Sequence, residues 1–553
     1  MLAAIWFSIA IAALGVLDVG HFYFVRRDLQ RAADLAATAA AQTIGSAGGC
    51  GAATASAKGS ATANGLPSTG TVQVVCGRWD PSANSVSPYF STTTTPLNAA
   101  RVTVNRTVPY FFLVGPPLPM SAVATAQATN IRSFSLTTTV AALSGGALNG
   151  LLNGLLHTSL NLSVLSYQGL ATAQVKLGDL AVALGAGTIS QLLTTQVTVG
   201  QLAAALQVAA NQGNTLSASV SSALGTIVAA IPAGTKISIG SMLSVGLGDP
   251  QAATTATVNV LDALMVAAEV ANGQNAIDLG AALNLGPIAN ISAQAKIIEP
   301  PVIAVGEAGQ NADGTWRTSA HSAKVRLYLQ VNLLSLNLGI ASVNAIHLPI
   351  YIEAAQSTAY LSSTQCSASK ATSQSVITAQ PGIAAICIGD DAANNLANVT
   401  VPATCNQPAH ITSATVFGFS LIDIYAGSAG KGVQLYVQPP DPTSMTFNGI
   451  SGDSDDYQSA NSNAVGSVVG SVLSQVVTNL LPSLYLTVGG VNVGAVINAT
   501  LQFLLTGVAA LLNPILNSLD AILVPLLQLL GVQIGVSTVH DLGLACGQSQ
   551  LVN

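Results

Sequence analysis

The spacing of apolar residues changes along this chain, and each change marks a different kind of element. From Met1 to Leu17 the only polar residue is Ser8; extending the run to Val25 adds Asp18 and His21 before Arg26. About 25 residues at 1.5 Å each are enough to cross the ~30 Å hydrocarbon core of a bilayer. The pattern therefore predicts a transmembrane helix, with Phe22, Tyr23 and Phe24 at headgroup depth. No Lys or Arg precedes the run and helical signal continues through the region where a signal peptide would be cut, so an uncleaved anchor is expected. Beyond it, Leu29, Ala32, Ala33, Ala36, Ala40 and Ile44 recur at three- and four-residue steps, with Asp28, Arg31, Asp34, Thr38 and Gln42 on the other side. That is one amphipathic helix continuing the span. Ala4, Ser8 and Ala12 place a small residue every four positions, a helix-pairing pattern. Asp18 near the membrane edge reads either as part of that pairing or as a residue of the interface.

After Ile44 the signals alternate. Gly45 to Gly70 is rich in Gly, Ala and Ser and reads as a linker or irregular strap, while Val72–Val75, Arg101–Val108 and Ser121–Thr129 are strand-like. Leu148, Leu151, Leu152, Leu155, Leu156 and Leu160 have helical spacing, which puts His157 on a wet face, and Ala/Leu segments continue to about Asn290. A period of two then returns in Ala323–Leu333 and Ile346–Ala354, two half-buried strands of one sheet, with Pro349 suggesting an edge position. Their polar faces bring Lys324, Arg326, His347 and Glu353 into question as a cluster, which a solvated sheet face also explains. Over 499–531 an oily run carries a narrow stripe of Gln502, Thr506, Asn513, Asn517, Asp520 and Gln528, interrupted by Pro514 and Pro525. This suits helices packed on a sheet, with a lipid-lying element as the alternative. Val532, Ile534 and Val536 open a final strand towards Cys546. The expected class is α+β, with Ala/Leu-rich helices packed on antiparallel sheet. Its parts are an anchor and helix extension over 1–44, a linker over 45–70, a small β region over 71–132 and a mainly helical region over 133–292. A β-rich region over 293–448, an acidic loop over 449–463, and Leu-rich helices with a closing strand over 464–553 complete it.

Composition narrows the compartment. Half of the 553 residues are hydrophobic but only 7% are charged, against roughly 25% in an ordinary soluble domain. No Lys, Arg, Asp or Glu occurs between Ser133 and Val175 or between Leu180 and Thr235. A wettable, nearly uncharged surface of this kind belongs to secreted and cell-surface proteins. The net charge of −6 selects no charged partner, and no basic patch points to nucleic acid. Cys50, Cys76, Cys366, Cys387, Cys405 and Cys546 form no C-x-x-C pair, so they are expected as disulfides of an oxidising compartment. The local pairs Cys50–Cys76 and Cys366–Cys387 are expected, leaving Cys405 with Cys546. Catalytic patterns are missing: the chain has no Gly-x-Ser-x-Gly elbow, His-Glu-x-x-His helix or dinucleotide fingerprint. "GSAGKG" (Gly427–Gly432) reads as a turn. "GDSDDY" groups Asp453, Asp455 and Asp456 without EF-hand spacing, as a solvated acidic loop. No enzyme, cofactor or metal is expected.

The run D-V-G-x-x-Y-x-x-R-R-x-L-Q-x-A-A-D-x-A-A, from Asp18 to Ala37, resembles the N-terminal signature of the TadE/TadG-like proteins of bacterial Flp pilus (tight adherence) systems. It is most similar to the large TadG-like members. A looser likeness runs through "NAARVTVNRTVPYFF" (Asn98–Phe112) and "SAVATAQA" (Ser121–Ala128), similar to the small β region that follows the anchor in that family. A long N-terminal helix followed by a short antiparallel sheet is also a pilin-like plan. The resemblance implies a single-pass inner-membrane anchor, the bulk of the chain in the periplasm, and pilin-like or pilus-assembly and secretion proteins as partners. Two features depart from it. Members of that family usually carry basic residues before the span, whereas this chain begins inside the apolar run, so that Arg26, Arg27 and Arg31, the interface arginines, would by themselves draw that end to the cytoplasm. The cysteines and the uncharged surface outweigh them, and Met1 is expected to be a late start. The Asp-x-Ser-x-Ser metal motif of a von Willebrand A-like domain is missing, Asp80-Pro-Ser82-Ala-Asn84 being a near miss. The expected function is a structural or assembly component; the alternative is a membrane-tethered binding module for lipid or another apolar ligand.

Overall fold

The computed structural model describes residues 2–552, apart from 82, 84–85, 113, 137–144, 214–216, 232–233, 280–288, 334, 338–340, 383, 417–418, 429, 438–440, 461–478, 494–504, 511 and 513–535. Helix α1, Leu2–Ile44, runs unbroken through the apolar run and its amphipathic continuation. Its first half exposes Ile5, Trp6, Ile9, Ile11, Val16, Leu17 and Val19. Among the described residues no helix is long and apolar enough to cross a membrane; the side chains of residues 2–4, 7 and 10 lie outside that description.

The second half of α1 is packed. Val25, Leu29, Ala33, Ala36, Ala37, Ala40, Ala41 and Ile44 are buried against a second helix, α2 (Gly49–Ala63), and a sheet. The sheet begins with strands β1 (Thr71–Trp79), β2 (Phe90–Ser91), β3 (Ala99–Val108) and β4 (Leu118–Leu136), in the order β2-β1-β3-β4. The expected linker over 45–70 is corrected by α2. Ala53, Ala57 and Ala61, one per turn, are fully buried against α1. Alanine is the strongest helix former, and a methyl stripe lets two helices approach closely. Cys50–Cys76 fastens α2 to β1.

β4 is the spine of the molecule. One edge pairs antiparallel with β3, Ala99↔Gln127 to Val108↔Leu118. The other edge pairs with the closing strand Ser537–Val552, from Thr125↔Val552 to Leu136↔Val539. Near its end β4 also meets Ile303–Gly306, which continues to Leu243–Gly246. β4 thus runs past residue 132, where the sequence reading closes the small β region.

Helices from Gly145–Leu156 to Val260–Asn272 follow. Several start on uncharged caps: Ser163, Thr188, Ser217, Asn259, and Thr198 with Gln201 in a reciprocal capping box. This is how a stretch almost without charges ends its helices cleanly. His157 lies just beyond Gly145–Leu156, exposed and with φ of 51°. Strands Lys324–Leu333 and Ile346–Ala354 pair antiparallel inside a six-stranded sheet that includes Ala289–Glu299, Ala384–Ile388 and Val433–Val437. Ile346–Ala354 is therefore an inner strand, which corrects the edge expected from Pro349. Its pairing with Ala384–Ile388 starts only at Ile350↔Ile388, so the proline, which has no N–H to donate, stands just outside that ladder.

Cys50–Cys76 is paired as expected, and the other two cysteine pairs are corrected. Cys366 joins Cys546 and Cys387 joins Cys405. The hairpin Thr358–Gln365 and Gln374–Gln380 belongs to another four-stranded sheet, so Cys366 is carried away from Cys387. It arrives beside α1, where its N–H donates to the Gly45 carbonyl (3.1 Å), within reach of the closing strand. Of the oily 499–531 stretch, Val508 and Leu512 are described, and both are buried in the main core. Pro514, Pro525, most of the polar stripe, and Val532 and Ile534 lie outside the described residues.

Candidate functional site

The site with most bearing on function begins at Asp18. Its carboxylate is 1% exposed. Oδ1 accepts the backbone N–H of Phe111 at 2.7 Å, and Phe112 N–H donates to the same carboxylate at 3.3–3.4 Å. The rings of His21 and Phe111 lie 4.2 Å apart, and Tyr110 meets Phe22 edge-on at 5.0 Å. Asp18 thus caps the loop between β3 and β4, inside its own chain. Ser8 and Ala12 are exposed on α1, while the side chain of Ala4 lies outside the description. Arg26, Arg27 and Arg31 are exposed, and Arg31 lies 3.6 Å from Asp28.

A second group locks this N-terminal part to the body. The Arg78 guanidinium is fully buried; it donates to Asp80 Oδ2 (3.1–3.2 Å), Glu307 Oε2 (2.8 Å) and the Pro96 carbonyl (3.2 Å). Arg317 approaches Asp80 and Glu307 at 3.7 and 3.9 Å. Two cations thus face two carboxylates. Burial lowers the Arg78 pKa, but its bonds and charge attraction to Glu307 and Asp80 outweigh this and raise it. For Arg317, burial and the charge of Arg78 win and the pKa is lowered. Asp80, the near miss for a metal motif, is here an ion-pair partner. Ser82 and Asn84 lie outside the described residues.

A third group sits where β4 meets the closing strand. Arg132 pairs with Asp541 and donates to the Asn448 carbonyl at 2.7 Å. Burial pushes the Asp541 carboxyl up to about 6 against the pull of Arg132. Ser135 and His540 both bond Asp262 Oδ2, at 2.6 and 2.9 Å, and Tyr457 stacks on His540 at 4.1 Å. Serine and histidine share one acceptor instead of bonding each other, so the constellation lacks the base-to-nucleophile contact of a hydrolase.

The acidic loop lies alongside. Oxygens of Asp453, Asp455 and Asp456 lie within 4.8 Å of one another. Asn448 Nδ2 donates to Asp453 and Asp455, and Gly452 N–H donates to Asp456 at 2.5 Å. Burial raises the pKa of both Asp455 and Asp456. The loop's own donors thus answer much of its charge. In the six-stranded sheet, Glu353 gathers Lys324 and Arg326 at 3.4 Å and the Tyr351 hydroxyl at 2.8 Å. His347 sits apart, bonded to Asn332. Arg326 also donates to the carbonyls of Asn395, Asn398 and Val401, around the end of the helix Ala392–Ala397. That is a structural use of its charge. A cleft of 630 Å³ opens beside the closing strand, lined in part by Lys176, Thr255, Ser367, Lys370 and Ser451.

Sequence reasoning missed the Asp18 loop contact and the partners of Arg78 and Arg132. One signal was available: in a chain so poor in charge, an arginine inside an apolar strand, as in "NIRSFSL", needs a buried counter-ion.

Comparison with family models agrees with the opening helix and sheet. Residues 1–43 match a model described as Flp pilus-assembly TadE/G-like, and residues 38–126 match one described as Tad-like Flp pilus-assembly. The chain carries a TadE/TadG-like Flp pilus-assembly module. The Tad module so defined covers α1, α2, β1 to β3 and the first half of β4. The Asp18 contact, α2 and Cys50–Cys76 are therefore all internal to it. Residues 144–269 match a domain of unknown function, DUF8293, which takes in the helical region. Searches of curated proteins and of solved structures return no match.

Proposed function

We propose that the chain is a membrane-anchored periplasmic component of Flp pilus assembly, of the large TadG-like kind. The observation that carries this reading is the contrast along α1. Its second half is buried in the Tad module, while its first half stands out with Ile5, Trp6, Ile9 and Ile11 exposed among the described residues. An apolar helix end that its own fold leaves open calls for lipid or for other helices in lipid. Three disulfides fit an oxidising compartment and so the periplasmic side. The mechanism is geometric: α1 holds the module at the membrane, and β4 transmits that position to the body through the closing strand. Asp18, being taken up by the 111–112 backbone, serves the module's own shape more than helix pairing. The alternative, a module for apolar ligands, rests on the sheet of Lys324–Leu333 and Ile346–Ala354 and on the 499–531 segment, most of which lies outside the described residues.

In the source bacterium, deletion of the gene is expected to abolish surface pili, with the full chain restoring them. A chain with Ile9→Lys and Ile11→Lys, both at exposed positions of α1, should fold but fail to restore them. Restoration by that variant would contradict the anchor, and unchanged piliation on deletion would contradict the assembly role.

A further inference from the structure

We propose that the loop between β3 and β4, Pro109 to Pro117, is a second membrane-contacting element that enters the headgroup–acyl boundary of the bilayer reached by α1. This rests on the anchor reading. From Thr107 to Ile131 the chain has no Lys, Arg, Asp or Glu. Phe111, Phe112 and Val114 are 68%, 53% and 106% exposed, where a loop facing only water would carry Asn, Asp or Ser. The loop does not hang free. Asp18 grips the N–H groups of Phe111 and Phe112, and its rings pack on His21 and Phe22. At that level α1 itself turns Val16, Leu17, Val19, Tyr23 and Phe24 outward. Helix and loop therefore form one continuous apolar collar.

The collar has the chemistry of a membrane edge. Aromatic rings favour the interface, and the exposed Arg26 and Arg27 follow Phe24 by roughly 3 Å along the helix axis, at 1.5 Å per residue, placed to face anionic headgroups. A bare carboxylate at this depth would be costly; the loop's N–H groups cover it. Pro109, Pro116 and Pro117 have no N–H, so the loop brings few unmet donors towards lipid. A convex collar around an apolar helix fits a lipid surface better than it fits a groove-seeking protein segment.

The test uses the full chain in phosphatidylethanolamine/phosphatidylglycerol vesicles, with and without brominated acyl chains. The tryptophans are Trp6, Trp79 and Trp316. Trp6 reports the anchor in the native chain, and Phe112→Trp or Val114→Trp, each combined with Trp6→Phe, reports the loop. The expected result is quenching of the loop tryptophan approaching that of Trp6, reduced when Asp18→Ala is added. Quenched Trp6 with an unquenched, water-like loop tryptophan overturns the proposal and leaves the anchor standing. A loop tryptophan that is blue-shifted but unquenched also overturns it, since a protein then covers the loop. Quenching of neither overturns both readings. Val114→Trp, at a side chain without packing to lose, keeps the test decisive should Phe112→Trp fail to fold.

Discussion

Glu269 lies in the helix Val260–Asn272, 3% exposed, with Oε2 lacking a hydrogen-bond partner among the described residues. Burial holds its pKa well above the usual carboxylate value. In the folded state it keeps a proton that the unfolded chain gives up near pH 4.5. Stability is therefore lost as pH rises from that point towards the folded pKa. Glu269→Gln removes this dependence at nearly constant volume. The expected outcome is a melting temperature raised at pH 8, with the gain shrinking as pH approaches 4.5; a gain independent of pH would contradict the buried-proton account. Legibility at this scale was uneven. His157 is exposed as its spacing implies, though just past the helix end, and the acidic loop is solvated only in part, with Asp453 exposed and Asp456 buried. Arg78 with Glu307 and Arg132 with Asp541 bridge 229 and 409 positions, and no local pattern carries a partner that far.

Elements were legible wherever the period was clean. Lys324–Leu333 and Ile346–Ala354 alternate in sequence and pair in register, Val325↔Ala354 to Leu333↔Ile346. Val102 and Val104 point into the core of β3 as their alternation implies. α2 was hidden because glycine, serine and alanine read as a linker when no large apolar residue marks a face; its face consists of methyl groups alone. That packing is also its weak point. Ala57→Leu puts three further carbons into a fully buried contact with α1. It is expected to cost about 1–3 kcal/mol, read as a lower urea midpoint. Leu35→Ala, at an exposed position on α1, should change stability by less than about 0.5 kcal/mol. Equal effects of the two would mean that α2 does not pack as described.

At the scale of the whole molecule, the sheet is closed by segments far apart in sequence. Ser537–Val552 returns along β4, and Cys366–Cys546 spans 180 residues to fix the loop after Thr358–Gln365 beside it. Cys50–Cys76 formed as expected, but Cys366–Cys387 did not: the hairpin moves Cys366 to another sheet, and Cys387 takes Cys405, 18 positions on. The α+β class was readable from the periods. That β4 joins the Tad module to the rest was not, since a strand paired on both edges has no sequence mark of its neighbours. The same spine makes one claim central: whatever holds α1 also holds the body. Alkaline phosphatase joined after Asn553 reads the side of the membrane on which that body lies, and washing membranes with alkaline carbonate reads whether α1 keeps it there. Active phosphatase in the carbonate-resistant pellet is the expected result. A full-length fusion without phosphatase activity, or its release into the carbonate supernatant, would contradict it.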